Sequence, residues 1–99
     1  MAFVQIIEFR TSRFDEMRKL EDEWEAAAGA RSTALRVITG ADRDDPGRYF
    51  QMVFFDSYES AMENSNLPVT QEFSQKMMAL ADGQPTFYNL DVVEERTLA

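Results

Sequence analysis

The chain has 99 residues, with 10 Lys and Arg against 18 Asp and Glu for a formal net charge of −8, and it contains neither histidine nor cysteine. Without those two residue types there are no usual zinc sites, no haem held by imidazole or thiolate, no disulfides, no Ser-His or Cys-His nucleophile systems and no histidine base. A sequence pI near 4.4 opposes binding to a phosphate backbone or an anionic membrane, so neither nucleic acid nor membrane is expected as a partner, and the length fits a single domain spanning 1–99.

The chain opens on Phe3 to Arg10, a β-branched and aromatic run that reads as a strand. Gln5 and Glu8 interrupt it and no basic region precedes it, so no secretory signal is expected. Ser12 and Asp15 resemble a capping box. Phe14, Met17, Leu20, Trp24 and Ala28 follow at spacings of three and four, an apolar stripe on a helix that Gly29 can end. The acidic run Glu21-Asp22-Glu23-Glu25 on that helix reads as solvated surface rather than a cation site, since no glycine-bearing loop organises oxygen ligands there.

A second strand is expected over Thr33 to Gly40, then a loop dense in turn formers from Ala41 to Gly47, then a third strand over Tyr49 to Phe55. Asp56-Ser57-Tyr58-Glu59 carries a capping-box pattern with Asp at the cap, predicting a short helix through Ala61 and Met62. Asn64 to Pro68 breaks it, and Pro68 suits the first turn of a further helix that buries Val69, Phe73, Met77 and Leu80. Asp82-Gly83-Gln84-Pro85 ends that helix, and Phe87 to Glu95 reads as the last strand. The order predicts an α+β ferredoxin-like βαββαβ sandwich, a four-stranded antiparallel sheet with the helices on one face.

Strand side chains alternate between faces, and here both faces are apolar. Val4 and Ile6 oppose Phe3, Ile7 and Phe9 in the first strand; Phe50, Met52 and Phe54 oppose Tyr49, Val53 and Phe55 in the third. Gln5 and Gln51 interrupt the face that holds Ile7 and Val53, where they can bond each other or a partner. Helices cover only one face, so a second copy of the chain is the expected cover of the other, in a homodimer.

The element order, the length and the segment Phe54-Phe55-Asp56-Ser57-Tyr58-Glu59-Ser60-Ala61-Met62-Glu63-Asn64-Ser65-Asn66-Leu67-Pro68, followed by Phe73, resemble the dimeric α/β-barrel superfamily that includes antibiotic-biosynthesis-type monooxygenases. The resemblance implies two sheets closing a barrel in a dimer and, in each subunit, a pocket between sheet and helices. It also implies oxygenation of aromatic or polyketide-like molecules without a cofactor. Relatives often carry histidine after the third strand and near the proline, where this chain has Asn64, Ser65 and Val69. Haem degradation through a histidine ligand is accordingly not expected, and no cofactor or metal is.

Such chemistry needs a dry pocket and donors that hold an electron-rich anion. The candidate substrate-binding residues are Arg36, a permanent cation in an apolar strand; Asn64 and Asn66, amide donors at the end of the short helix; and Trp24, Tyr58 and Tyr88, rings able to stack on a planar ligand. Each also has a structural reading: Trp24 as core, the asparagines as caps, Arg36 as a surface strand residue. The sequence names no catalytic residue. The expected function is binding of a small apolar or aromatic ligand, with monooxygenation as its chemistry; the alternative is a non-catalytic ligand-binding or structural dimer module. A cysteine-free chain suits the cytoplasm, the expected location.

Overall fold

A computed structural model describes residues 2–98. The elements run β1 (Phe3–Arg10), α1 (Phe14–Ala28), β2 (Arg36–Ala41), β3 (Arg48–Phe55), α2 (Tyr58–Ser65), α3 (Pro68–Leu80) and β4 (Thr86–Asp91), with a single 3₁₀ turn at Gly29–Arg31 after α1. The four strands form one antiparallel sheet in the order β2-β3-β1-β4, the ferredoxin-like arrangement expected from the sequence.

Several boundaries differ from the expectation, each for a local reason. The second strand starts at Arg36 rather than Thr33, because Ser32 and Thr33 turn their hydroxyls to Asn64 and to the Ser60 carbonyl of α2. The last strand ends at Asp91 rather than Glu95, since its partner β1 begins at Phe3, opposite Asp91; only the Val92 amide continues the pairing, donating to the Ala2 carbonyl at 2.8 Å. Ser12 does not cap α1. Arg13 takes the N-cap position with no side-chain cap, and the buried Thr11 instead orders the turn before it: its Oγ1 accepts from the Arg13 amide at 2.9 Å and donates to the Leu80 carbonyl at 2.8 Å, tying β1 to the end of α3. Ser57, not Asp56, caps α2, its Oγ accepting from the Ser60 amide at 3.1 Å. Pro68 opens α3 as expected, where its missing N–H costs nothing.

The register settles which face the helices cover. Val37 pairs with Val53, and Ile7 with Gln51 and Phe87, and these odd-numbered residues look toward α1 and α3. The covered face has an apolar anchor at each end. At one end Phe3 and Phe55 pack with Ala61 of α2, their ring centroids 6.4 Å apart. At the other, Tyr49 lies between Phe9 and Phe14, 5.6 and 4.3 Å from their centroids. The middle of the covered face is where the site lies.

Among the described residues, nothing covers the even-numbered face. Val4, Ile6, Ile38, Met52, Phe54, Tyr88 and Leu90 share it by register, and Ile38, Tyr88 and Leu90 are each about two-fifths or more exposed. Its Arg10 and Arg48 end is an ion network. Arg48 reaches Glu8 at 2.9 Å and Asp42 at 3.1 Å, and Arg10 reaches Asp45.

Candidate functional site: a cavity between sheet and helices

Between the two aromatic anchors the sheet and helices leave a cavity of about 180 Å³. Ile7, Val53 and Phe87 form its floor, and Trp24 of α1 and Phe73 of α3 form its roof. An apolar extension of about 100 Å³ shares Ile7, Phe73 and Phe87 and runs on to Met17, Met77 and Pro85. On the opposite side Glu21, Trp24 and Val37 are common to the cavity and to a broader groove between α1 and the start of β2. The cavity and its extension together reach the lower end of the size range of small-molecule sites, roughly 300 Å³.

Apolar walls with a few convergent polar groups are the usual makeup of a ligand pocket, and here the polar groups come from five elements, β1, α1, β3, α2 and α3. Trp24 donates its Nε1 proton to Thr70 Oγ1 at 3.0 Å and tilts against Phe73, locking α1 to α3 across the roof. Asn64, buried in the last turn of α2, accepts on Oδ1 from Ser32 Oγ at 3.0 Å. That bond fixes the side chain, and Asn64 borders the cavity. Gln5 and Gln51 do not bond each other. Register places Gln5 opposite Val53, so Gln5 donates to Asn89 Oδ1 at 3.1 Å, and Gln51 reaches Glu21 Oε2 at 3.4 Å.

Glu21 corrects the expectation that the acidic run of α1 is solvated throughout. It is half-buried, and burial pushes its carboxyl above the ordinary value of 4.5, helped by the neighbouring charges of Asp22 and Glu25 and opposed by Arg18. Its position has a sequence signal. Met17, Glu21, Trp24 and Ala28 follow one another at spacings of four, three and four, so Glu21 belongs to the inward stripe and not to the outer face. The signal that finds it is this spacing; reading the acidic residues as one block hides it.

Of the six residues singled out in the sequence, Trp24 and Asn64 reach the cavity. Arg36 stands on the uncovered face of β2, its guanidinium 4.4 Å from the centre of the Phe54 ring. Tyr88 is on the same face and donates to Glu8 Oε1 at 3.0 Å. The hydrogen bonds from Arg48 and then Tyr88 hold the Glu8 carboxyl below its ordinary range, and the same bond to Glu8 raises the Tyr88 hydroxyl above its own. Tyr58 packs edge-on against Phe3 at a centroid distance of 5.5 Å, closing the end of the core. Asn66 is the exposed residue that ends α2. Thr70, Phe73 and Phe87 join the site without having been singled out as binding residues, because they come from the third helix and the edge strand, far away in sequence.

Among the described residues, no cluster of three or more Asp, Glu, His or Cys is placed to hold a metal ion, and no helix is long and apolar enough to cross a membrane.

Comparison with protein-family models finds no match, and comparison with curated proteins finds none either. Solved structures share the fold at low sequence identity. A cofactor-independent oxygenase from Streptomyces nogalater, SnoaB, solved as an asparagine-to-alanine variant, superimposes with a TM-score of 0.80 at 10% identity over 95% of each chain. A Caulobacter crescentus protein described as a candidate antibiotic biosynthesis monooxygenase gives 0.80 at 16% identity, covering 94% of this chain and 91% of that one. Rv0793 of Mycobacterium tuberculosis gives 0.78 at 14% identity, covering 98% and 100%. The resemblance to antibiotic-biosynthesis-monooxygenase-like proteins is therefore met at the level of the fold.

Proposed function

We propose that this chain binds a small aromatic or polyketide-like molecule in the cavity between its sheet and helices, and oxygenates it without a cofactor as a homodimeric α/β barrel. The observation that carries the reading is the cavity itself: aromatic walls from Trp24, Phe73 and Phe87, bordered by the amides of Gln5, Gln51 and Asn64. Rings suit a planar ligand, and the amides can orient its hydroxyl and carbonyl groups. Fold likeness to a cofactor-independent oxygenase supports the same chemistry by analogy.

In that reading the electrons come from the substrate. A ring methylene flanked by phenolic rings reacts with dioxygen; one oxygen atom becomes a carbonyl on that carbon, and the other leaves as water with the two methylene hydrogens. The protein's part is to hold the ring system, exclude water and orient the hydroxyl that feeds electron density to the reacting carbon.

Dimerisation rests on the uncovered sheet face. Val4, Ile6, Met52, Phe54 and Leu90 make it an apolar field with charged groups at its edge, the pattern of a protein interface, and a second copy is its simplest cover. Cytoplasmic residence accords with a cysteine-free chain.

A second reading is a carrier or sensor with no turnover. It is favoured by Trp24 Nε1 and Asn64 Oδ1 being engaged by Thr70 and Ser32, a structural use of both groups. Oxygen uptake with a panel of anthrones and hydroxy-naphthacenes separates the two. The oxygenase reading expects uptake and a ketone product; binding that quenches Trp24 fluorescence with no uptake across the panel leaves the carrier.

A further inference from the structure

The charge lining of the cavity carries a consequence for what can enter it. Among the described residues that line the cavity and its apolar extension, the sole ionisable side chain is Glu21. Every other polar group there is an amide, a hydroxyl or an indole, and the cation expected from the sequence, Arg36, is on the far face of the sheet, over Phe54. We infer that the cavity selects the neutral, hydroxyl-bearing form of its ligand and rejects the anion, with the Glu21 carboxylate as the acceptor for that hydroxyl and the specificity-determining group of the site. The inference deepens the small-molecule reading above and rests on it.

Within the cavity Glu21 meets no cation, only the long hydrogen bond from the Gln51 amide. On its own helix Asp22 and Glu25 add negative charge, and Arg18 is the cation that opposes them. From β3 it meets the neutral amide of Gln51, and α3 contributes Thr70 and Ser74 to the same cavity. The start of β2 brings Arg36 to the rim of the adjoining groove, where Glu25 also lies. The N-terminus of α3 near Thr70 is a partial positive charge of about half a unit, less than the full charge of a carboxylate. A ligand anion would thus be desolvated against a like charge in a low-dielectric cavity, whereas a neutral hydroxyl gains a charge-assisted hydrogen bond. Rejecting the preformed anion does not reject the oxygenation chemistry, because a hydroxyl bonded to a carboxylate already donates more electron density to its ring.

Two naphthalene derivatives make the test: 2-naphthol, whose hydroxyl is neutral at pH 7 and has no internal acceptor, and lawsone, a hydroxynaphthoquinone and vinylogous acid that is ionised there. Binding is read by calorimetry, with quenching of Trp24 as a second signal for lawsone. The expected result is that 2-naphthol binds at pH 7 and lawsone binds roughly tenfold or more weaker. Lawsone should gain affinity as pH is lowered and both it and Glu21 take up protons. Glu21→Gln should cut the preference for 2-naphthol at pH 7 by about threefold or more. The pH series on the unaltered protein tests the same rule should that variant fail to fold. Equal affinity for both compounds, or a preference untouched in Glu21→Gln, overturns the charge rule while leaving ligand binding intact. Binding of neither compound at any pH removes the aromatic-ligand reading, and the rule with it.

Discussion

The two faces of the sheet carry similar numbers of apolar groups and treat their polar ones in opposite ways. On the uncovered face the acids are ion-paired: Glu8 is held by Arg48 and Tyr88, and Arg48 is shared with Asp42. On the covered face, the one acid that lines the cavity has an amide for a neighbour, and the remaining polar groups are neutral. Two glutamates therefore move in opposite directions, Glu8 below its ordinary pKa and Glu21 above it. A face whose charges are already satisfied presents a finished surface to another protein. A face that lines a cavity with a carboxylate lacking a cationic partner, and with amides held by neutral neighbours or by that carboxylate, keeps spare hydrogen-bonding capacity for a small molecule.

The sharpest way to break this comparison uses adjacent residues that point to opposite faces. Ile7 lines the cavity among Phe73 and Phe87, whereas Ile6 pairs with Met52 and Tyr88 on the uncovered side. Ile7→Asp puts a charge with no cationic partner beside Glu21 and should cost about 3–5 kcal/mol, enough to unfold a domain of this size. Ile6→Asp should leave the fold intact, as judged by circular dichroism, and abolish assembly. Light scattering should then report 11.4 kDa, and twice that mass for the unaltered chain if the proposed dimer forms. Two variants with the same effect on folding and assembly would show that the faces are not distinct in the way described.

How much of this was legible beforehand follows from what each pattern encodes. The parity of the strands shows that both faces are apolar, and the Asn64 to Pro68 break divides the second helical segment as expected, into α2 and α3. Parity is symmetric, however, and cannot say which face the helices take; Phe3 with Phe55 and Phe9 with Tyr49 are no more apolar in sequence than Ile6 with Met52. A cation in an apolar strand invites an anion, which is why the sequence points Arg36 at the ligand; the pairing of Val37 with Val53 instead turns Arg36 outward. Glu21 was visible in the stripe spacing and hidden by its acidic neighbours.

Smaller effects sharpen the contrast within the covered face. Trp24→Phe keeps the ring against Phe73 and removes the bond to Thr70 Oγ1. The expected loss is about 1 kcal/mol, read from the midpoint of urea unfolding. A much larger loss would mean that the indole holds α1 and α3 together by more than this bond. Since Trp24 is the single tryptophan, circular dichroism has to report the transition for that variant.

The smallest expected effect is the most specific, because it asks the two glutamates for opposite signs. Glu8 has a depressed folded-state pKa, so its contribution to stability is present above the unfolded value near 4.5 and is lost as pH falls through the lower folded value; Asp45, lowered by its hydrogen bond with Arg10, acts in the same direction. Glu21 has a raised folded-state pKa, so its contribution is present below about 4.5 and is lost as pH rises through the higher folded value. Urea unfolding at fixed protein concentration, followed across these two windows, should therefore show Glu8→Gln flattening the loss of stability on the acid side. Glu21→Gln should flatten the loss on the other side, as pH rises above 4.5, and leave the acid limb alone. If both variants flatten the same limb, the two carboxyls share one environment, and the difference between a paired face and an unpaired cavity is lost.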